Sequence, residues 1–240
     1  MISAGLYFRH SDAIWDDYPQ LAAGAIAVEP VSASATVQER IARFEAIAAS
    51  RLAQSPESEL PEIQAWRRAF ARMGLKPTQY RCASEALLRR FRKEGSVPQI
   101  HPLVDLCNAV SIAFAIPVAV FDVAEIADFL EVRYATGAEP YDSFSGETES
   151  PAAGEVIFGD NANRAHARRW TNRQSARSAV GSGTGSALIV AEALHDSASQ
   201  DIARLVETLV DELDAVWSAS TTSAILSRES PRFSFTASRR

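Results

Sequence analysis

From Tyr80 to Asp122 the chain sets isolated polar groups inside apolar runs, and this stretch constrains the fold more than any other. It reads YRCASEALLRRF, then VPQIHPLVDLCNAVSIAF, then IPVAVFD. The first part has the spacing of an amphipathic helix whose polar face carries Glu85, Arg89 and Arg90. A Pro-bounded crossing leads to a segment that places Asp105 and Asn108 among apolar neighbours, and a Pro-led apolar run ends on Asp122. Burying such groups without partners costs about 1–3 kcal/mol each, so each must be paired by the fold or used in a site.

The chain has 240 residues, 47% hydrophobic and 22% charged, enough for a sizeable core. No internal repeat or linker divides it. The expectation is a single domain over 1–225 followed by a disordered tail, 226–240, reading LSRESPRFSFTASRR. No apolar run approaches the roughly 20 residues that span a bilayer, so no membrane partner is expected. The N-terminus lacks the pattern of a secretory signal, which makes the cytoplasm the expected location. Cys82 and Cys107, without nearby His, read as two small buried side chains in a reducing compartment.

The net charge is −6, with a pI of about 5.3. This argues against indiscriminate nucleic-acid binding, and no DNA partner is expected. Two local basic clusters qualify that reading. Arg164, Arg168, Arg169, Arg173 and Arg177 fall within fourteen residues that contain no acid, and Arg89, Arg90, Arg92 and Lys93 end the helix of the central stretch. Cations near a helix C-terminus also favour the macrodipole, so the second cluster has a structural reading as well.

Periodicity predicts strands at AGLYF and AAGAIAVEPV, with WDDYPQ as the turn between them. It predicts helices over 35–53, from Pro61 to Met73 with Gly74 just past the end, over 83–94 ended by Gly95, over 102–115 and over 200–217. IPVAVFDV, DFLEVRYA and GEVIFGD read as strands, and 137–153 as a loop region with room for one short strand. Ala187 to Leu194 is apolar apart from Glu192 and fits strand or helix. There is no P-loop, HExxH, GxSxG or CxxC; GSGTGS at 181–186 lacks the Lys of a phosphate loop and reads as a Gly-rich hairpin or mobile loop. His195 beside Asp196 reads as a surface pair. Neither a metal nor a cofactor is expected.

SEALLRRF, PQIHPLVDLCNAVSIAFAIPVAVFD, LEVRYATGAEPY, GEVIFGD and RRWTNRQS follow one another in order, preceded by WRRAFARMGLKPTQYRCASEALLRR. From about Trp66 to Leu194, this series resembles the B3/4 domain of the phenylalanyl-tRNA synthetase beta subunit, and most of all the free-standing bacterial proteins built from that domain. The resemblance implies an α+β fold, a single B3/4-type domain of mixed sheets with unusual topology flanked by helices. It implies hydrolysis of the ester joining a wrong amino acid to its tRNA. The family's VDxxN segment falls on Val104 to Asn108, which puts Asn108 at a pocket position. Cys107 stands where the synthetase commonly has Thr, and Ala119 where it has His two residues after the Pro matched by Pro117. RRWTNRQS replaces a Gly-rich pocket segment. The Glu that reads a misplaced phenol falls near Val190 to Glu192. These departures keep tyrosine specificity from being carried over.

Such an ester needs orientation, an oxyanion donor and a water rather than a strong nucleophile. The expected catalytic residues are Asn108, with Glu85 or Asp122 pairing the substrate ammonium. The expected substrate or tRNA ligands are Arg89, Arg90, Arg169, Arg173 and Gln174. Glu85, Arg90, Asp105, Asp122 and Arg133 read equally well as an internal ion-pair network. The partner is then the aminoacylated 3′ end of a tRNA, or a small amino-acid or nucleoside ligand. Three functions remain open: a trans-acting deacylase, a non-catalytic tRNA-, nucleoside- or amino-acid-binding module, and a hydrolase of smaller aminoacyl or peptidyl conjugates.

Overall fold

The structure is a computed structural model that describes residues 4–237. Its helices are α1 (Asp12–Asp17), α2 (Gln38–Gln54), α3 (Pro61–Arg72), α4 (Ala83–Glu94), α5 (Pro102–Phe114) and α6 (Ala198–Trp217). Its strands are β1 (Ala4–His10), β2 (Ala22–Glu29), β3 (Val118–Asp122), β4 (Phe129–Tyr134), β5 (Tyr141–Asp142), β6 (Thr148–Glu149), β7 (Val156–Asp160), β8 (Ala165–Arg168), β9 (Arg173–Gln174), β10 (Ala187–Ala193), β11 (Ser220–Leu226) and β12 (Arg232–Ala237).

Local chemistry sets the helix ends. Pro61 and Pro102 occupy first-turn positions, where a missing N–H is harmless. Gly74 and Gly95 follow α3 and α4 with φ of +75° and +77°, the left-handed region that glycine adopts without penalty. The Asp105 carboxylate accepts from the backbone N–H groups of Ile100 (2.7 Å) and His101 (3.3 Å), reaching back over the start of α5.

The strands form an α+β arrangement of mixed sheets. One sheet has the order β12-β1-β4-β7-β8-β9, with β1 and β4 parallel and its other pairs antiparallel. A second, antiparallel sheet has the order β11-β2-β10-β3, and β5 and β6 make a separate hairpin. The second sheet is the middle layer. One core, with Phe8, Leu130, Phe158, Leu188 and Val190, lies between the two sheets and extends to Trp66 of α3 and Leu88 of α4. Another, with Ile26, Ile189, Leu106, Val110 and Leu205, lies between the second sheet and α5 and α6. Strand β10 is therefore buried on both faces: Leu188 and Val190 face the first sheet, and Ile189 and Ala191 face the helices. Its run, apolar except for Glu192, is that of a central strand, which periodicity alone cannot separate from a buried helix. At Gly24 of β2 an added Cβ would clash with Val206 Cγ2, so α6 approaches the sheet where no side chain intervenes.

Two expectations are corrected. The tail is not disordered over 232–237: β12 pairs antiparallel with β1 along its length, Ala4 opposite Ala237 to Arg9 opposite Arg232. Phe233, Phe235 and Ala237 alternate inward with exposed Arg232, Ser234 and Thr236, a period-two pattern whose partner lies at the other end of the chain. WDDYPQ is not simply a turn, because α1 carries Ile14 and Trp15 into the core. Ser220–Leu226, with no clear apolar alternation, is recruited as the edge strand β11 by β2. Residues 1–3 and 238–240, the outer ends of the expected domain and tail, lie outside the described residues.

Candidate functional site

The turn between β8 and β9 is held in an unusual conformation. Arg169 and Trp170 have φ of 49° and 57°, a left-handed pair that costs non-glycine residues about 1–2 kcal/mol each. Their backbone N–H groups are fixed by Glu155 Oε1 (3.0 Å) and the Val156 carbonyl (2.8 Å). The turn drives the Trp170 indole into the core, edge-on to Trp66 at 4.9 Å and to Tyr18 at 4.8 Å. Its Nε1–H donates to Glu192 Oε1 at 2.8 Å.

Glu192 lies on β10, on the side facing the first sheet, and is 2% exposed. His10 of β1 meets the same Oε1 at 2.7 Å through Nε2. An indole N–H only donates, so Oε1 is an acceptor and the His10 tautomer here carries its proton on Nε2. The second oxygen, Oε2, has no partner among the described residues, and Glu192 lines a cavity. One oxygen is thus held by two groups of the first sheet, while the other is available.

The cavity has a volume of about 70 Å³, room for several waters or a small side chain. Pro117, Val118, Ala119, Phe158, Ala167 and Val190 make its apolar walls, and Thr171, Asn172, Arg173 and Gln174 its polar rim. Thr171 Oγ1 is buried without a hydrogen-bond partner. Ala83, the first residue of α4, also borders the cavity, and its N–H donates to the Thr171 carbonyl at 2.8 Å. The N-terminal end of the α4 dipole therefore opens on the rim. The rim amides are engaged: Asn172 Nδ2 donates to the Arg81 carbonyl (2.8 Å) and Gln174 Nε2 to the Val120 carbonyl (2.6 Å). Arg173 is exposed, and its nearest acid is Glu149 at 3.4 Å.

Arg173 and Gln174 are thus the expected site residues that the structure brings to the cavity. Arg169, in the adjoining turn, stacks its guanidinium on Tyr80 at 4.8 Å. Asn108 is half-buried on α5 and outside the cavity lining. Glu85 is buried and held by Arg67 (2.6 Å) and Arg81 (3.4 Å). Asp122 accepts from Ala124 N–H (2.9 Å) and Thr184 Oγ1 (2.6 Å), which also ties down the Gly-rich loop. Arg89 contacts Glu57 at 3.3 Å and Arg90 contacts Glu94 at 2.7 Å. Arg133 binds Glu139 at 2.6 Å, so the five residues read as one ion-pair network instead have separate partners.

The arginine run around 164–177 is largely neutralised by acids from other segments: Arg164 by Asp160, Arg168 by Glu155 and Glu149, Arg177 by Asp142. His195 is buried and meets Asp201 at 2.9 Å rather than pairing with Asp196 on the surface. Cys82 and Cys107 are buried free thiols, and desolvation pushes Cys82 up to about 12 and Cys107 higher. Neither is a ready nucleophile. Among the described residues, no group of three or more His, Cys, Asp or Glu is arranged to hold a metal ion. No helix among them is long and apolar enough to cross a membrane.

Sequence reasoning did not single out His10, Trp170, Thr171 or Asn172 and reached Glu192 only as a range. The WTNRQS block carried a signal for Thr171 and Asn172; nothing local marks His10, which is 182 positions from Glu192.

No curated protein matches the chain. Among solved structures, an N-terminal fragment of the phenylalanyl-tRNA synthetase beta-subunit from Pyrococcus horikoshii is similar, with a TM-score of 0.48 and 7% identity. The match covers 96% of this chain and 54% of that one, so the chain spans about half the length of that fragment. The sequence profile of the B3/4 domain matches residues 65–212, well over half of the chain. The protein belongs to the B3/4 domain family.

Proposed function

We propose that this chain hydrolyses the ester of a mischarged aminoacyl-tRNA, with the cavity at Glu192 receiving the aminoacyl group. The observation that carries the proposal is the half-used carboxylate. Glu192 Oε1 is fixed by His10 and Trp170, and Oε2 is left to accept a hydrogen bond from something in the cavity. An ammonium or hydroxyl of the substrate supplies that donor. Such a charge-assisted bond contributes about 1.5–3 kcal/mol.

Thr171 Oγ1, buried and unpaired, is suited to hold the attacking water. Arg173, exposed and weakly paired, is suited to a phosphate of the terminal nucleotides, and the α4 N-terminus favours negative charge at the rim. The water adds to the ester carbonyl and the carbonyl–ribose oxygen bond breaks. One proton of the water passes to the leaving ribose oxygen, and the other is released to solvent as the amino acid departs as a carboxylate.

A binding-only reading has one observation in its favour: the amides of Asn172 and Gln174 are each anchored by one N–H to a backbone carbonyl, so neither is dedicated to an oxyanion. Incubation with a panel of correctly and incorrectly charged tRNAs separates the two. Selective loss of amino acid from at least one mischarged tRNA is expected. Saturable binding across the panel without turnover would replace the hydrolase with a binding module.

A further inference from the structure

We infer that the exposed face of α3 and α4 receives the phosphate backbone of an RNA whose 3′ end enters the cavity. The inference rests on the aminoacyl-RNA reading of that cavity and extends it to a surface outside it.

Residues 61–95 contain nine Lys or Arg and three Asp or Glu, a local charge of +6 in a chain of net charge −6. The acids are few and shared. Buried Glu57 serves both Arg89 and Arg92, at 3.3 and 2.8 Å, and buried Glu85 serves both Arg67 and Arg81, at 2.6 and 3.4 Å. Arg68, Lys76 and Lys93 are exposed and have no acidic partner among the described residues. In the 164–177 run, by contrast, Arg164, Arg168 and Arg177 each meet a carboxylate within 3 Å.

The cations are also ordered. Ala86, Arg89, Arg90 and Lys93 are all exposed at helical spacing, making one stripe along α4. Arg89, Arg90, Arg92, Lys93 and Glu94 line a shallow groove at its far end. Its near end is Ala83, on the cavity rim. At about 1.5 Å per residue, Arg89 and Lys93 stand roughly 9 and 15 Å along the axis from Ala83, a span that a few nucleotides cover. Arg173 stands at the cavity mouth, and Arg169 stacks on Tyr80 just before α4. The macrodipole accounts for Arg92 and Lys93 in the last turn of α4, but not for Arg68, Lys76 or Arg81. A polyanion that begins in the cavity and leaves along α4 uses them all.

The test compares three full-length proteins: wild type, the triple variant Arg68→Glu, Lys76→Glu, Lys93→Glu, and a control with equal charge change elsewhere, Arg43→Glu, Arg204→Glu, Arg228→Glu. Circular dichroism confirms folding, and Gln replaces Glu at the same three positions if the first variant does not fold. Binding of one uncharged tRNA is measured against salt, and hydrolysis of an aminoacyl ester of adenosine is measured in parallel. The expected result is RNA affinity at least tenfold weaker in the α3–α4 variant only. The slope of log affinity against log salt should be shallower by about 2, since each released counterion contributes about 0.7–0.9. Hydrolysis of the adenosine ester should be unchanged. Equal affinities in all three proteins, equal loss in both variants, or no RNA binding by wild type would overturn the inference. Absence of adenosine-ester hydrolysis alongside α3–α4-dependent RNA binding would remove the hydrolase reading and leave this surface standing.

Discussion

Among the described residues, some buried carboxylates have donors on both oxygens, while Glu62 and Glu192 use one, and of these two it is Glu192 that lines the cavity. Asp160 accepts from the backbone N–H groups of Ala127 (3.2 Å) and Arg164 (2.9 Å) and from the Arg164 guanidinium (2.9 Å), with His166 Nε2 at 3.1 Å. Burial alone would raise its pKa; the donors from His166 and Arg164 outweigh it and hold Asp160 well below the usual carboxylate range. Glu139 behaves alike: burial is overcome by Thr136 N–H and the Arg133 guanidinium, holding it down to about 2. Folded values below the unfolded ones, near 4, mean that the stabilisation is complete above about pH 4 and is lost as pH falls toward 2. Urea midpoints measured from pH 6 to 2 should therefore decline below about pH 4, less steeply for Glu139→Gln. A flat wild-type profile would contradict the assignment. Reasoning from polar groups in apolar runs found residues of the satisfied kind, Glu85, Asp105 and Asp122, because the need for a partner is legible in sequence and its identity is not.

At the scale of elements, legibility followed amphipathicity. The helices α2 to α6 each present a one-sided apolar stripe or carry Pro and Gly at their ends, and their places were readable. β10 was ambiguous because both its faces are buried, and β12 was missed because its apolar alternation is only three residues deep and its partner is β1. The strand nonetheless buries Phe233 and Phe235 against the sheet. Each contributes about 1.5–3 kcal/mol of burial, and β12 also covers the edge of β1. Ending the chain after Leu226 should lower stability by several kcal/mol and induce concentration-dependent association, read by thermal unfolding and light scattering. An unchanged unfolding midpoint would mean that β12 adds nothing to the fold.

Over the whole molecule, topology assembles what the sequence scatters. Glu192 is positioned from three places: β1 supplies His10, β10 supplies Glu192, and the left-handed turn after β8 supplies Trp170. The family resemblance made Arg173 and Gln174 legible because their block is contiguous; no periodicity places residue 10 against residue 192. The same folding redistributes charge. The arginine run that looked basic in sequence is largely neutralised by Asp142, Glu149, Glu155 and Asp160, while α3 and α4 keep an excess over shared acids.

The central claim is that Oε2 of Glu192 binds the aminoacyl group. Glu192→Gln retains an acceptor for His10 and Trp170 but turns a donor toward the cavity, so it tests that atom with little change in shape. Its most direct measurement is kcat/KM for Glu192→Gln, beside Asn108→Ala, on the mischarged tRNA that wild type hydrolyses fastest. The account predicts a loss of about ten- to a hundredfold for Glu192→Gln, the equivalent of one charge-assisted hydrogen bond, and a smaller loss for Asn108→Ala. Wild-type kcat/KM in Glu192→Gln, with activity abolished in Asn108→Ala, would move the site away from Glu192 and contradict the account.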